Sequence, residues 1–342
     1  MINRQLQSFS TLPADREPKP LDAATKSAAQ FASCSKKIRD AVRQAYRLRT
    51  EALATEDGPN RALAFQRAAD AFLAIVTDFP IPTTDEQERL RNVLREEVAF
   101  CYMFTKNAEL RIRAEKIYRE LLVAWPDRVS VMLRLGQLCR DAGEFAEARK
   151  LMESALALAE ANPEEDADGQ RQTNWVLRRD LAYIYWRLTD LDWSRDDALQ
   201  LLRRAVEFSE AAIGYARGDN QLGNTRENLL YYLADIWKRF PSDRRKQDEM
   251  RGKELLTELR SKVDLEKSAT EILDTLVRAE AAFGELQRSK AAAKVVNQRL
   301  REKIEIICRD KHCSHTVAFD SLSRDERDMY LNSQEVLAAS GS

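Results

Sequence analysis

The chain has 342 residues, 44% hydrophobic and 32% charged, a composition that builds a water-soluble core and excludes a disordered or fibrous chain. Its 55 basic and 56 acidic residues leave a net charge of −1, so no bulk field draws it to nucleic acid or to a membrane surface. Only 10 Gly and 9 Pro occur, too few for the frequent turns of an all-β protein, and no run approaches the ~18 apolar residues of a membrane helix.

Residues 1–21 carry Pro13, Pro18 and Pro20 among polar residues and are expected to be extended or disordered. Residues 22–82 read as an N-terminal helical region. One helix is expected from about Asp22 to Thr55, with Phe31, Ile38, Val42, Tyr46 and Leu48 as apolar contacts, and Asp57-Gly58-Pro59-Asn60 breaks it. A second runs from Arg61 to Asp78 with Ala64, Phe65, Ala68, Phe72 and Ile75 on one face, and Phe79-Pro80-Ile81-Pro82 ends it.

Thr84 to Gln87 has capping-box spacing for a helix reaching about Lys106. Its partner runs from Leu110 to Ala124. The stretch VSVMLRLGQLCRDAGEFAEARKLMESALALAE, residues 129–160, holds two amphipathic runs that meet at Ala142-Gly143-Glu144. Small residues at Gly136, Ala148 and Ala155 mark where helix backbones press together. Further hairpins are expected at about 172–213, 225–262 and 268–308, separated by Gly218-Asp219-Asn220, Phe240-Pro241-Ser242-Asp243 and Phe283-Gly284-Glu285. Residues 309–342 read as a hinge, a short helix from Ser323 to Ala339 with capping-box spacing at Ser323 and Glu326, and a tail.

Together, Met132, Leu135, Gly136 and Cys139 on the first helix of the 129–160 hairpin, and Ala148, Met152 and Ala155 on the second, resemble the tetratricopeptide repeat, a helix-turn-helix unit of about 34 residues. Weaker copies flank it: Val98, Ala99, Tyr102, Ala114, Tyr118 and Leu121 before, then Leu181, Ala182, Tyr185, Ala198, Leu202 and Ala205, then Leu230, Leu233, Ala234 and Trp237. The resemblance implies an all-α fold over 83–308, antiparallel helix-turn-helix repeats stacked into an irregular right-handed solenoid. Arg95 and Arg178 stand where the pattern wants a bulky apolar residue, and stretched turns add to the irregularity.

In such arrays the first helix of each hairpin lines a concave groove that holds a partner. Carried over by position, the partner-binding candidates are Phe100 and Phe104; Gln137 and Arg140; Arg179, Tyr183, Trp186 and Arg187; and Asn228, Tyr231, Lys238 and Arg239. Aromatics mixed with arginines are what interface hot spots favour. The cations suit an acidic segment or a terminal carboxylate. Phe100, Tyr183 and Trp186 have a second reading, as packing between repeats. The Lys and Asn of the chaperone-binding clamp are missing, since Glu96 and Phe100, Leu133 and Gln137, and Arg179 and Tyr183 fill those positions.

The expectation is therefore a non-catalytic scaffold or adaptor binding a protein or peptide, without cofactor or metal, and with no membrane or nucleic-acid partner. The alternative is a sensory or regulatory array that controls a separate effector enzyme and takes a small ligand or nucleotide. The Ala-rich N-terminal helix and the end repeats offer surfaces for homo-oligomerisation. Cys34, Cys101, Cys139, Cys308 and Cys313 are odd in number, and the first three are widely spaced, which fits a reducing cytosol. The N-terminus lacks the apolar core of a signal peptide, so the expected location is cytoplasmic. Cys308, His312, Cys313 and His315 are four soft ligands in eight residues, but their spacing matches no standard finger. Gly218 to Thr225 has the glycine spacing of a phosphate loop without its lysine and reads as an inter-helix loop capped by Thr225. The acidic loop 164–168 reads as a solvated turn.

Overall fold

The structure, a computed structural model, describes residues 31, 33–56, 58–105, 107–161, 167–191, 194–283, 286–311 and 313–339. The chain forms two compact units, Ile2–Gln170 and Arg171–Ser342. Among the described residues the regular structure is α-helix and one short 3-10 turn, with no strand. Residues 1–21, most of the acidic loop, the Gly284 turn and His312, for which the sequence raised expectations, lie outside the described residues.

The first unit contains α1 (Lys36–Ala54), α2 (Pro59–Asp78), α3 (Asp85–Met103), α4 (Ala108–Ala124), α5 (Val129–Ala142) and α6 (Phe145–Ala161). Each packs against the next in the chain, the arrangement of successive antiparallel hairpins. Side chains mark the starts: Ser35, Thr84 and Asn107 accept the backbone N–H groups of Ile38, Gln87 and Leu110. Helix α1 thus begins at Lys36 and Ser33 to Ser35 are not helical, while the part of the expected run from Asp22 to Gln30 lies outside the described residues. At Thr84 only half of the capping box forms, because Gln87 reaches back to the N–H of Thr83 at 2.8 Å. Gly143 closes α5 in the left-handed conformation at φ 87°.

The α5–α6 hairpin shows why its small residue is needed. A Cβ on Gly136 would meet Met152 Cγ at 2.9 Å and the Ala148 carbonyl at 3.5 Å. These are the positions where the tetratricopeptide pattern places a small residue opposite a bulky one. Aromatic rings fill the α1–α3 core: Tyr46 meets Phe72 edge-on at 5.1 Å, and Phe65 stacks on Phe104 at 4.8 Å.

The second unit comprises most of α7 (Ala167–Leu188), then α8 (Arg195–Tyr215), α9 (Gly218–Arg239), a 3-10 turn at Pro241–Asp243, α10 (Lys246–Lys262), α11 (Thr270–Phe283), α12 (Leu286–Lys311), α13 (His315–Asp320) and α14 (Arg324–Ala338). Helix α9 packs on α8, α10 and α11, so first helices of successive hairpins adjoin as the repeat reading requires. The core joins Leu229, Leu233, Leu256, Leu273, Val277, Ala293 and Val296 with Met329 and Val336 of α14. Ser323 and Glu326 form the full capping box expected at the start of α14.

The phosphate-loop-like segment is not a loop. Helix α9 starts at Gly218, and Thr225 lies inside it, its hydroxyl donating to the Gln221 carbonyl at 2.7 Å and accepting Trp175 Nε1–H at 3.0 Å. The Gln221 side chain accepts the N–H of Arg217 at 2.7 Å and so starts the helix seven residues before the expected cap. Arg178, the departure from the apolar pattern, fills its buried site by stacking over the Tyr215 ring at 4.4 Å.

The glycines separate two kinds of site. A Cβ at Gly252 would lie 2.2 Å from the Phe283 ring, while at Gly223, inside α9, it meets nothing within 4 Å. Gly252→Ala is expected to destabilise the unit by about 1–3 kcal/mol, because a rigid ring must move. Gly223→Ala is expected to stabilise it by about 0.5–1 kcal/mol through helix propensity. Denaturant melts of the two variants check both signs.

Candidate functional site

In the first unit the candidates fall in packed surroundings. Phe100 is buried, 6.2 Å from Phe65 and 4.9 Å from Phe104, with the Arg49 guanidinium over its ring at 4.4 Å and that of Arg134 at 4.9 Å. Arg49 also pairs with Glu97 at 3.0 Å, and burial still holds that carboxyl above its usual pKa. Gln137 is 1% exposed and accepts from Arg134 at 2.9 Å. Arg140, 2% exposed, grips Asp141 through Nε at 3.0 Å and Nη2 at 2.8 Å, while Arg111 takes the other carboxylate oxygen at 2.8 Å.

In the second unit several candidates converge. Trp186 meets Tyr231 edge-on at 5.2 Å and Tyr183 at 5.6 Å. Trp186 Nε1–H donates to Asp235 at 3.3 Å, and Arg239 binds the same carboxylate at 3.1 Å and the Thr189 hydroxyl at 2.9 Å. Arg179 pairs with its neighbour Asp180 at 2.6 Å and lies over Trp175. Asn228 is half-buried and donates to Asn224. Arg187, 3% exposed, lies 3.4 Å from both Asp190 and Asp325. Lys238, on the surface, donates to Glu335 at 2.6 Å.

Some of these side chains line a cleft of about 570 Å³, while Arg179, Tyr183, Arg187 and Asn228 lie outside its lining. Trp186 and Tyr231 are its aromatic wall. Asp190, Asp235, Lys238, Arg239 and Arg278 add charge from α11 and from the region of α7 and α9, and Asp328, Leu331, Asn332 and Glu335 close it from α14. Leu331 is more than half exposed. Arg278 sits over Tyr231 at 4.8 Å and binds Asp274 at 2.8 Å. Burial works against its charge, but Asp274 and then Tyr231 hold it protonated, above its ordinary range.

Of the sequence candidates, Trp186, Tyr231, Lys238 and Arg239 line this cleft. Arg278 and the whole α14 wall were missed. The signal was present: Asp325, Asp328, Asn332 and Glu335 recur at helical spacing along one face of the terminal helix.

Cys139, Glu144 and Glu147 bring three metal-type ligand atoms within 4.8 Å. Arg119 already occupies the group, bonding Glu147 at 2.7 Å and Glu115 at 2.9 Å. Its hydrogen bonds lower the Glu147 carboxyl, while burial and then the Glu147 charge push the Cys139 thiol up to about 12. A protonated thiol beside a guanidinium is a poor cation ligand. No helix among the described residues is long and apolar enough to cross a membrane.

Arg187 and Lys238, which both pair with carboxylates of α14, differ in burial, and their removal should differ accordingly. Arg187→Ala, which strands Asp325 and Asp190, is expected to cost about 3–5 kcal/mol of unfolding free energy. Lys238→Ala, at an exposed pair, is expected to cost under about 1 kcal/mol. Urea denaturation of both variants measures the contrast.

No family model matches the sequence, and no curated protein matches it. Among solved structures, the chain is similar to a tetratricopeptide repeat protein from Parabacteroides merdae, with a TM-score of 0.49 and 10% identity over 88% of this chain and 100% of that one. The all-α, helix-repeat architecture itself rests on the stacked hairpins and on the close approach of Gly136 to Met152.

Proposed function

We propose that this chain is a non-catalytic interaction module that holds a segment of a partner protein in the cleft between α14 and the Trp186–Tyr231 wall. The observation that carries this reading is the cleft's make-up: two aromatic rings in edge-to-face contact under a rim bearing Lys238 and Arg239. The rings, only 9% and 8% exposed, form a rigid floor already packed into the fold, and rim cations supply orientation. The inward arginines are already matched by carboxylates of the chain itself, so the partner's charge is read at the rim. There Lys238 is exposed and its hold on Glu335 is weak, as surface pairs are. An acidic segment or a terminal carboxylate competes with Glu335 for Lys238.

Affinity capture with wild type and Lys238→Glu, compared by quantitative mass spectrometry, tests this. Proteins lost selectively from the variant's capture are expected, with affinities weakened about tenfold, or about 1.4 kcal/mol. Identical captures would reject the cleft as the binding site.

A second reading is favoured by the cleft's size, which falls in the ~300–1,000 Å³ range of small-ligand sites, and by Lys238, Arg239 and Arg278 around it. In that reading the cleft takes an anionic small molecule such as a nucleotide and the array regulates a separate effector. A ligand bound only by the native state at a hundred times its Kd raises stability by about 2.7 kcal/mol. A thermal-shift series with nucleotides, run on wild type and Lys238→Glu, reads this directly; a flat series rejects it.

A further inference from the structure

The run from Cys308 to His315 takes no part in the cleft, yet its two cysteines are brought together by the way α12 ends. The N–H of Cys313 donates to the carbonyl of Cys308 at 3.2 Å. A six-residue closure of this type puts the side chains at its two ends in contact. The same closure ends α5, where the Glu144 N–H donates to the Cys139 carbonyl at 2.8 Å. There the Cys139 sulfur and the Glu144 carboxylate lie within 4.8 Å. At the end of α12 both positions are thiols.

Both are free and partly exposed. They pack together against a small satellite core of Ile304, Ala318 and Leu322, and the Cys313 thiol donates to the Ile307 carbonyl at 3.8 Å. Cys101 and Cys139, by contrast, are buried. Loss of hydration, and after it the adjacent Cys313 sulfur, lifts the Cys308 thiol above its ordinary pKa, which reflects how near the second sulfur lies.

We propose that Cys308 and Cys313 are a reversible dithiol–disulfide pair, oxidised by small-molecule disulfides, whose bond staples the end of α12 to the approach to α13. The closure supplies the side-chain approach that a disulfide requires. In the first step the Cys308 thiolate attacks one sulfur of glutathione disulfide, forming a mixed disulfide and releasing one glutathione thiolate. The Cys313 thiolate then attacks the Cys308 sulfur and expels the second glutathione. Two protein thiols become one disulfide, glutathione disulfide becomes two glutathiones, and the two thiol protons pass to the released thiolates. The loop is short, so the gain in global stability is small. The effect falls on α13 and on the start of α14, whose Glu326 bonds Lys303 of α12.

The test uses the full chain carrying Cys34→Ser, which removes the third partly exposed thiol, treated with glutathione disulfide, native and in urea. The native chain is expected to lose two hydrogens in intact mass, to give a linked Cys308–Cys313 peptide on proteolysis, and to revert with dithiothreitol. Pairing is expected to run about tenfold faster native than in urea, because the fold holds the second sulfur at attacking distance. Cys308→Ser and Cys313→Ser in the same background, checked for folding by circular dichroism, are each expected to stop, in the native chain, at a single glutathione adduct on the remaining thiol of the pair, read on its proteolytic peptide. Native chain that carries glutathione on both sulfurs without linking them would overturn the proposal, as would pairing that is no faster native than in urea.

Discussion

A guanidinium withdrawn from water needs its charge matched nearby, and in each of the two units the first helices of the hairpins meet that demand largely with the chain's own carboxylates. Arg140 and Arg179 find theirs one residue away, in Asp141 and Asp180 of their own helices. Arg187 finds one partner a helical turn on and a second in the terminal helix. The candidate arginines on the first helices of each unit are therefore matched by the chain's own carboxylates at these positions. On the proposed reading, recognition falls to the edge of the Trp186–Tyr231 cleft, where Lys238 is exposed while Arg239 is held by Asp235 and Thr189.

The fold was legible where the physics is local. Helical periodicity, proline breaks and the small residues at Gly136, Ala148 and Ala155 place the hairpins, because each feature acts within a turn or across one helix pair. Ser323 and Glu326 announce α14 for the same reason. The reading failed at Gly218, where glycine spacing suggested a loop. Gln221 supplies the missing cap to Arg217, and Thr225 satisfies its hydroxyl against the preceding turn, so Gly223 sits within a helix, while Gly218, at φ 63°, makes the turn at its start.

The candidate site was legible in part. Counting along the first helices found Trp186, Tyr231, Lys238 and Arg239, which share a wall. It could not separate these from Phe100, another groove-register aromatic, which is enclosed by Phe65, Arg49 and Arg134 and lines no part of the cleft. That distinction depends on what neighbouring helices bring, and a single helix does not carry it. Arg278 and α14 were missed because the repeat pattern fades after Trp237, although the packing continues.

Most helices here rest on their neighbours in the chain, which favours rapid, sequential folding. The pairing of Arg187 with Asp325 departs from that rule, for 138 residues separate the two. On a ribosome, where chains fold from the N-terminal end as they emerge, α7 is made long before the helix that completes its charge balance. Until α14 arrives, Arg187 lacks its partner Asp325, and the apolar surface that later receives Met329 and Val336 faces water. The second unit thus has a vulnerable interval during its own synthesis, which closes only when α14 has been made.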